Sequence, residues 1–212
     1  MKCSKIVMSG CVVAALALGE SQLAFGPMQP EKAPAGKPPA MPDFEKMMEE
    51  MEKYRNPGPE HEVLKGMVGT WDCAAKFFMP GPDGAMQEMT SKGEATFTSE
   101  LGGRWIRQDF KGDMMGESFA GFGHTGYDKM KKQYFATWAD TMSTSMLTMT
   151  GDYDKATKTI NMTGSCEMPG VGLTKMRHTV THKGPDSFVF TMYSDMGQGE
   201  TRDGEIVYTR RK

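Results

Sequence analysis

Leu, Ile, Val and Phe together supply only 31 of 212 residues, a scarcity that ordinarily marks a chain unable to bury enough surface to fold. The longest apolar run, Ile6 to Leu18, covers 13 residues, too short for the ~20 that a spanning helix needs. Charge of one sign is also missing. A net charge of -2 provides no basic face or stripe with which to displace the counterions of a nucleic acid, which excludes that partner. There is no Cys-x-x-Cys, no His-Glu-x-x-His, no Walker loop, no dinucleotide glycine fingerprint after a strand and no Gly-x-Ser-x-Gly elbow, so the common metal, nucleotide and serine-nucleophile sites have no foothold. No block repeats at a fixed period, which disfavours a propeller or solenoid.

What fills the apolar deficit is methionine. The chain has 22 Met, and this unbranched, adaptable side chain can take core positions that Leu would usually hold. With self-repulsion weak, a strand-rich region of roughly 150 residues can bury a core without a metal or several disulfides.

Lys2 and Lys5 precede the run Ile6–Leu18, and Ala17 and Gly19 occupy the small-residue positions before a cleavage point. This pattern predicts a secretory signal peptide over residues 1–19 and an exported, periplasmic or extracellular protein with no membrane span in its mature form. Residues 20–42 follow as a tether, because Pro27, Pro30, Pro34, Pro38, Pro39 and Pro42 among Gly, Ala and Lys extend as polyproline II and bury nothing. Loss of the leader removes Cys3 and Cys11 and leaves Cys73 and Cys166. An oxidising compartment permits a disulfide between them. They fall on strand patterns far apart in order, however, where a Cα separation under ~7 Å is hard to reach, so two free, buried thiols are expected.

Asp43 can cap a helix in which Phe44, Met47, Met48, Met51 and Tyr54 recur at helical spacing, and this amphipathic helix and its turn occupy residues 43–58. Pro59 suits the first turn of a second helix whose Leu64, Met67 and Val68 face inward, a plug for whatever follows. From Trp71 to Arg210 about ten short strand patterns alternate with turns such as Gly102-Gly103, Asp128-Lys129, Pro169-Gly170 and Gly197-Gln198-Gly199. Consecutive hairpins leave open edges unless the sheet closes on itself. The predicted class is all-β: an antiparallel meander of about ten strands closed into a barrel over residues 59–212, with short N-terminal helices.

His61-Glu62-x-Leu64-x-x-x-Val68-Gly69-x-Trp71, Gly102-Gly103-Arg104-Trp105, Gly121-x-x-x-x-Gly126-Tyr127-Asp128, Trp138-Ala139-Asp140-Thr141-Met142-Ser143-Thr144 and Tyr208-Thr209-Arg210 occur in an order that resembles the bacterial domain-of-unknown-function family numbered 1579. The resemblance covers roughly residues 59–212 and implies a calycin-like barrel, related to the lipocalin and fatty-acid-binding barrels, but supplies no catalytic residue. By the same resemblance, Arg210 is expected to pack its cation across Trp71 as a structural pair at the seam between first and last strands.

Alternation places Met176, His178, Val180 and His182 on one face of a strand and Lys175, Arg177, Thr179 and Thr181 on the other; the charged set takes the water, which turns His178 inward. The same reasoning turns Phe77 and Trp138 inward. The candidate cavity lining is therefore Phe77, Trp138, Met176, His178 and Tyr208, apolar with a few polar groups, as small-molecule pockets are built. The expected ligand is a small apolar or amphipathic molecule and the expected state a monomer. No catalytic residue, metal ligand or cofactor is predicted. Haem or a metal at His178, or an enzyme that uses the barrel interior there, is the rival reading, and copper at Met86-x-x-Met89 or Met114-Met115 a further one, because thioethers suit Cu(I). His178 and His182 lie ~13 Å apart along an extended strand, too far to share one metal.

Overall fold

The computed structural model describes residues 43–81, 85–114 and 116–212, without the Pro80 side chain. The leader and tether expected over 1–42 lie outside the described residues. Two helices, α1 (Phe44–Arg55) and α2 (Pro59–Lys65), precede ten strands: β1 (Gly69–Pro80), β2 (Met86–Glu100), β3 (Trp105–Met114), β4 (Glu117–Asp128), β5 (Gln133–Asp140), β6 (Leu147–Asp154), β7 (Thr159–Met168), β8 (Gly172–Gly184), β9 (Ser187–Asp195) and β10 (Glu200–Arg210). Each strand pairs with its sequence neighbours and β10 returns to β1, closing an antiparallel meander barrel. Closure leaves no edge strand, and only strand ends such as Met86–Lys92 of β2 keep one side unpaired by a neighbouring strand. Trp71 stands opposite Arg210 and Cys73 opposite Tyr208 at the seam.

Period-two alternation decides what lines the barrel. Along β1 Trp71, Cys73 and Ala75 are buried while Asp72, Ala74 and Lys76 face water. The outward face carries ion pairs, including Lys76 with Glu88, Arg177 with Glu200 and Arg211 with Asp72 and Glu94. Such a face is not the apolar band of a membrane-spanning barrel. Among the described residues no helix is long and apolar enough to cross a membrane.

Methionine does replace the missing Leu. Met67, Met149 and Met162 are buried, with Met114, Met176 and Met192 packed against them. Both thiols are free; Cys73 is buried, whereas Cys166 is only half-buried, short of the full burial expected, because it lies toward the open end of β7.

α2 caps one end. Pro59 supplies its first residue, and His61 and Leu64 are buried. Gly58 donates its amide to His61 Nδ1 at 3.0 Å, and Tyr134 on β5 donates its hydroxyl to the Glu60 carbonyl at 2.9 Å. α1 begins at Asp43, whose carboxylate accepts from the Glu45 amide, but has no buried residue. Among the described residues its hydrogen bonds to the barrel lie at its C-terminal end, where Arg104 Nε donates to the Arg55 carbonyl at 3.0 Å and Lys129 Nζ to the Lys53 and Asn56 carbonyls at 2.6 and 3.1 Å. Two cations thus satisfy carbonyls the helix leaves open and face the negative end of its dipole.

Candidate functional site

The floor of the barrel interior is the helical end. Trp71, 1% exposed, donates from Nε1 to the Met67 carbonyl at 2.7 Å and meets Phe188 edge-on at 4.7 Å. Over its other side stands Arg210, whose Cζ lies 4.1 Å from the Trp71 ring centre. The guanidinium spends its own donors on the Val68 carbonyl (2.7 Å), the Gly66 carbonyl (2.8 Å) and the Pro185 carbonyl (3.1 Å). Arg210 therefore fastens the link from α2 to β1 onto the last strand while stacking on its first aromatic.

Above this floor the register assembles the candidate site. His178 on β8 stands between Met162 on β7 and Met192 on β9, and its ring meets Phe190 edge-on at 5.0 Å. Among the described residues its Nε2 is sealed from solvent without a hydrogen-bond partner, as is Nε2 of His182, two steps of alternation further toward α2. Burial pulls the His178 pKa down to about 4, and burial lowers that of His182 as well. Both imidazoles are neutral near pH 7, and the buried nitrogen is an atom that a bound group could satisfy.

Tyr208 on β10 is buried, stacks on Phe188 at 4.3 Å and accepts a hydrogen bond from Gln108 Nε2 at 3.2 Å; burial raises its pKa far above the ordinary phenol value. Trp138 on β5 lies flat against Gly121 and Gly123 of β4. A Cβ on Gly121 would fall 2.4 Å from Trp138 Cζ2, so only glycine admits the indole there. The ring donates from Nε1 to Asp140 Oδ2 at 2.8 Å, and the other oxygen of Asp140 accepts from the Met142 amide. Asp140 thus serves the turn and the indole.

Phe77, Trp138 and Met176, with Leu147 and Met192, are only partly buried although they pack against the core. All five candidate lining residues therefore belong to the interior wall, with Tyr208 deep and Phe77, Trp138 and Met176 toward the end without a helix. Sequence reasoning passed over Gln108, Phe190, Met162 and Met192. The β8 register that turns His178 inward could have revealed Met162 and Met192 once the strand pairing was known. It also passed over Asp203, half-buried on β10, which accepts from the buried Ser194 hydroxyl at 2.8 Å and whose pKa burial raises.

Two depressions also mark the surface. One, of about 280 Å³, lies between the end of α1 and the barrel beside Arg55, Arg104, Trp105 and Lys129, but Arg104 and Lys129 are engaged in holding α1 and Arg55 pairs with Glu52. The other, of about 350 Å³, opens beside Phe110, Phe122 and Asp140 near the open end. Among the described residues no group of three or more His, Cys, Asp or Glu side chains gathers as a metal site.

The profile of the family described as "Protein of unknown function (DUF1579)" matches residues 56–210. No curated protein matches the chain. Among solved structures, Rv2717c from M. tuberculosis is similar with TM-score 0.53 and 12% identity, over 74% of this chain and 100% of its own. The S-type phycobiliprotein lyase CPES from Guillardia theta has TM-score 0.47 and 13% identity, over 81% and 99% of the two chains. A redesigned β-barrel, mFAP0, bound to DFHBI, has TM-score 0.35 and 16% identity, over 68% and 99%. At 12% identity the likeness to Rv2717c shows the fold alone.

Proposed function

We propose that this chain, which belongs to the DUF1579 family, is an exported, monomeric binding protein that holds a small apolar or amphipathic molecule inside its barrel. The observation that carries this reading is the buried, unpartnered Nε2 of His178 within a wall of Met and aromatic side chains. A buried polar atom without a partner costs about 1–3 kcal/mol, and a ligand's single polar group would relieve it while its apolar remainder lies against Phe77, Trp138 and Met176. No nucleophile, acid or oxyanion donor is needed for such a role.

The test is Trp fluorescence on titration with a fatty acid. Quenching that saturates, and that His178→Ala weakens without the appearance of any turnover, supports the reading; a flat response defeats it. A neutral buried imidazole is equally the ligand form of histidine, which favours a second reading: haem or a metal held at His178. That reading requires an absorbing or chelator-removable species to come through purification and to be lost in His178→Ala. Export is tested by intact mass of the mature protein, which should lack the leader near Gly19.

A further inference from the structure

The open end of the barrel differs in chemistry from the helical end. Among the described residues its connections, 81, 85, 116, 141–146, 169–171 and 196–199, contain 16 residues and no charged one. The four connections between strands at the helical end, 101–104, 129–132, 155–158 and 185–186, contain 14 residues, seven of them charged and six of those Lys or Arg. At and beside the uncharged connections stand Met86, Met142, Met146, Val171, Leu173 and Met196, all exposed, with Leu173 reaching 68%.

Carboxylates brace three of these turns. Asp113 accepts from the Gly116 amide, Asp140 from Met142, and Asp195 from Gly197 and Gly199.

We infer that this ring of apolar tips docks the mouth of the barrel on a neutral, zwitterionic lipid surface. A protein partner would need a continuous buried core; here the apolar groups project from separate hairpins spread round one end of the barrel, an arrangement suited to a deformable, apolar phase. The carboxylates at this end, joined by Glu117 and Glu167, repel an anionic leaflet, which would draw the lysine-bearing opposite end instead. The wall that includes Trp138 and Met176 lies toward this docked end, so a membrane amphiphile would have the shortest path to it from the lipid. This purpose rests on the binding function proposed above; the surface itself does not.

The experiment is flotation of the full chain with phosphatidylcholine vesicles. The variant Met142→Glu/Met146→Glu/Leu173→Glu should float about tenfold less than the native chain, and the single variants Met142→Glu and Leu173→Glu should each show part of that loss. Leu101→Glu/Met130→Glu, exposed apolar positions at the other end, should float as the native chain does. All variants keep Ile6–Leu18 and the exposed apolar stripe of α1 (Phe44, Met47, Met48, Met51 and Tyr54), so retention of flotation by the triple variant assigns binding to one of these segments and overturns the inference. Absence of flotation, binding confined to anionic vesicles, or a dimer in sedimentation that the triple variant dissolves also overturns it. A water-soluble fluorescent amphiphile separates the two ideas: if it fails to bind while flotation follows the ring, the lipid surface stands and the binding function falls.

Discussion

Trp71 and Trp138 compare the two ends of the barrel through one residue type. Both face inward from a strand and both donate the indole N–H, yet Trp71 is buried to 1% exposure and Trp138 only partly. The strands treat them alike; the cover differs. Leu64 and Met67 close over the floor at Trp71, with Arg210 across its face, whereas Trp138 has Gly121 and Gly123 beneath it and no helix above. A closed sheet satisfies its own backbone but does not seal its ends. Here the seven-residue α2 makes one end core and leaves the other a lined wall, and the loop chemistry divides along the same line.

The largest test of this contrast is truncation of each tryptophan. Trp71→Ala should cost about 3–5 kcal/mol, the range for emptying a filled aromatic site. Trp138→Ala should cost about 1–2 kcal/mol, because the residue is only partly buried and less area is lost from the interior. Urea unfolding of both variants, followed by far-UV circular dichroism, reads the difference. Equal costs would mean that the two ends are sealed alike.

Acid should act on the imidazoles between the ends. The folded pKa of His178 is about 4 against 6.5 for the free side chain, so between these values the unfolded chain binds the extra proton and stability rises with pH. Lowering the pH from 6.5 to 4 should therefore remove up to about 3 kcal/mol, with no further loss from this group below 4. His182 acts in the same direction. His178→Leu should flatten most of that slope in urea midpoints measured across the window; an unchanged slope would show that the imidazole takes its proton while folded.

These features differ in how far the sequence announces them. Turn chemistry placed all ten strands, and the contrast of Lys175 and Arg177 with Met176 and Val180 fixed which way His178 points. Pro59 with Leu64 and Met67 marked the plug. The start of β2 was not legible: Met86–Lys92 pair only with β1 and carry no apolar alternation. The tie from Arg104 and Lys129 to the end of α1 spans 48 to 76 residues of chain and has no local signal. The apolar ring is invisible for a related reason, since each Met stands alone among turn residues until closure brings five hairpins to one rim.

Arg210 tests whether the sealed end depends on a planar cation. Arg210→Lys keeps the charge but cannot cover the Trp71 ring and reach the Gly66, Val68 and Pro185 carbonyls together. A loss of about 1–2 kcal/mol is expected from the forfeited hydrogen bonds and stack. In a double-mutant cycle with Trp71→Phe, coupling should be clear; zero coupling would reduce Arg210 to a clasp on the carbonyls alone.

The smallest effects lie in the turns and should have opposite signs at the two ends. At the helical end Lys158 holds a left-handed conformation, φ 53°, while its carbonyl accepts from the His182 amide at 3.0 Å. A side chain pays about 1 kcal/mol for that region where glycine pays little. Lys158→Gly should therefore stabilise by a few tenths of a kcal/mol, once the greater freedom of glycine in the unfolded chain is subtracted. At the open end Gly170 has φ 77°, and a Cβ there would meet nothing within 4 Å. Its substitution by Ala tests the backbone alone, free of any steric clash, and should destabilise by about 1 kcal/mol. If Lys158→Gly destabilises instead, the lysine side chain contributes a contact that outweighs its backbone strain, and the basic loops are part of what holds the sealed end together.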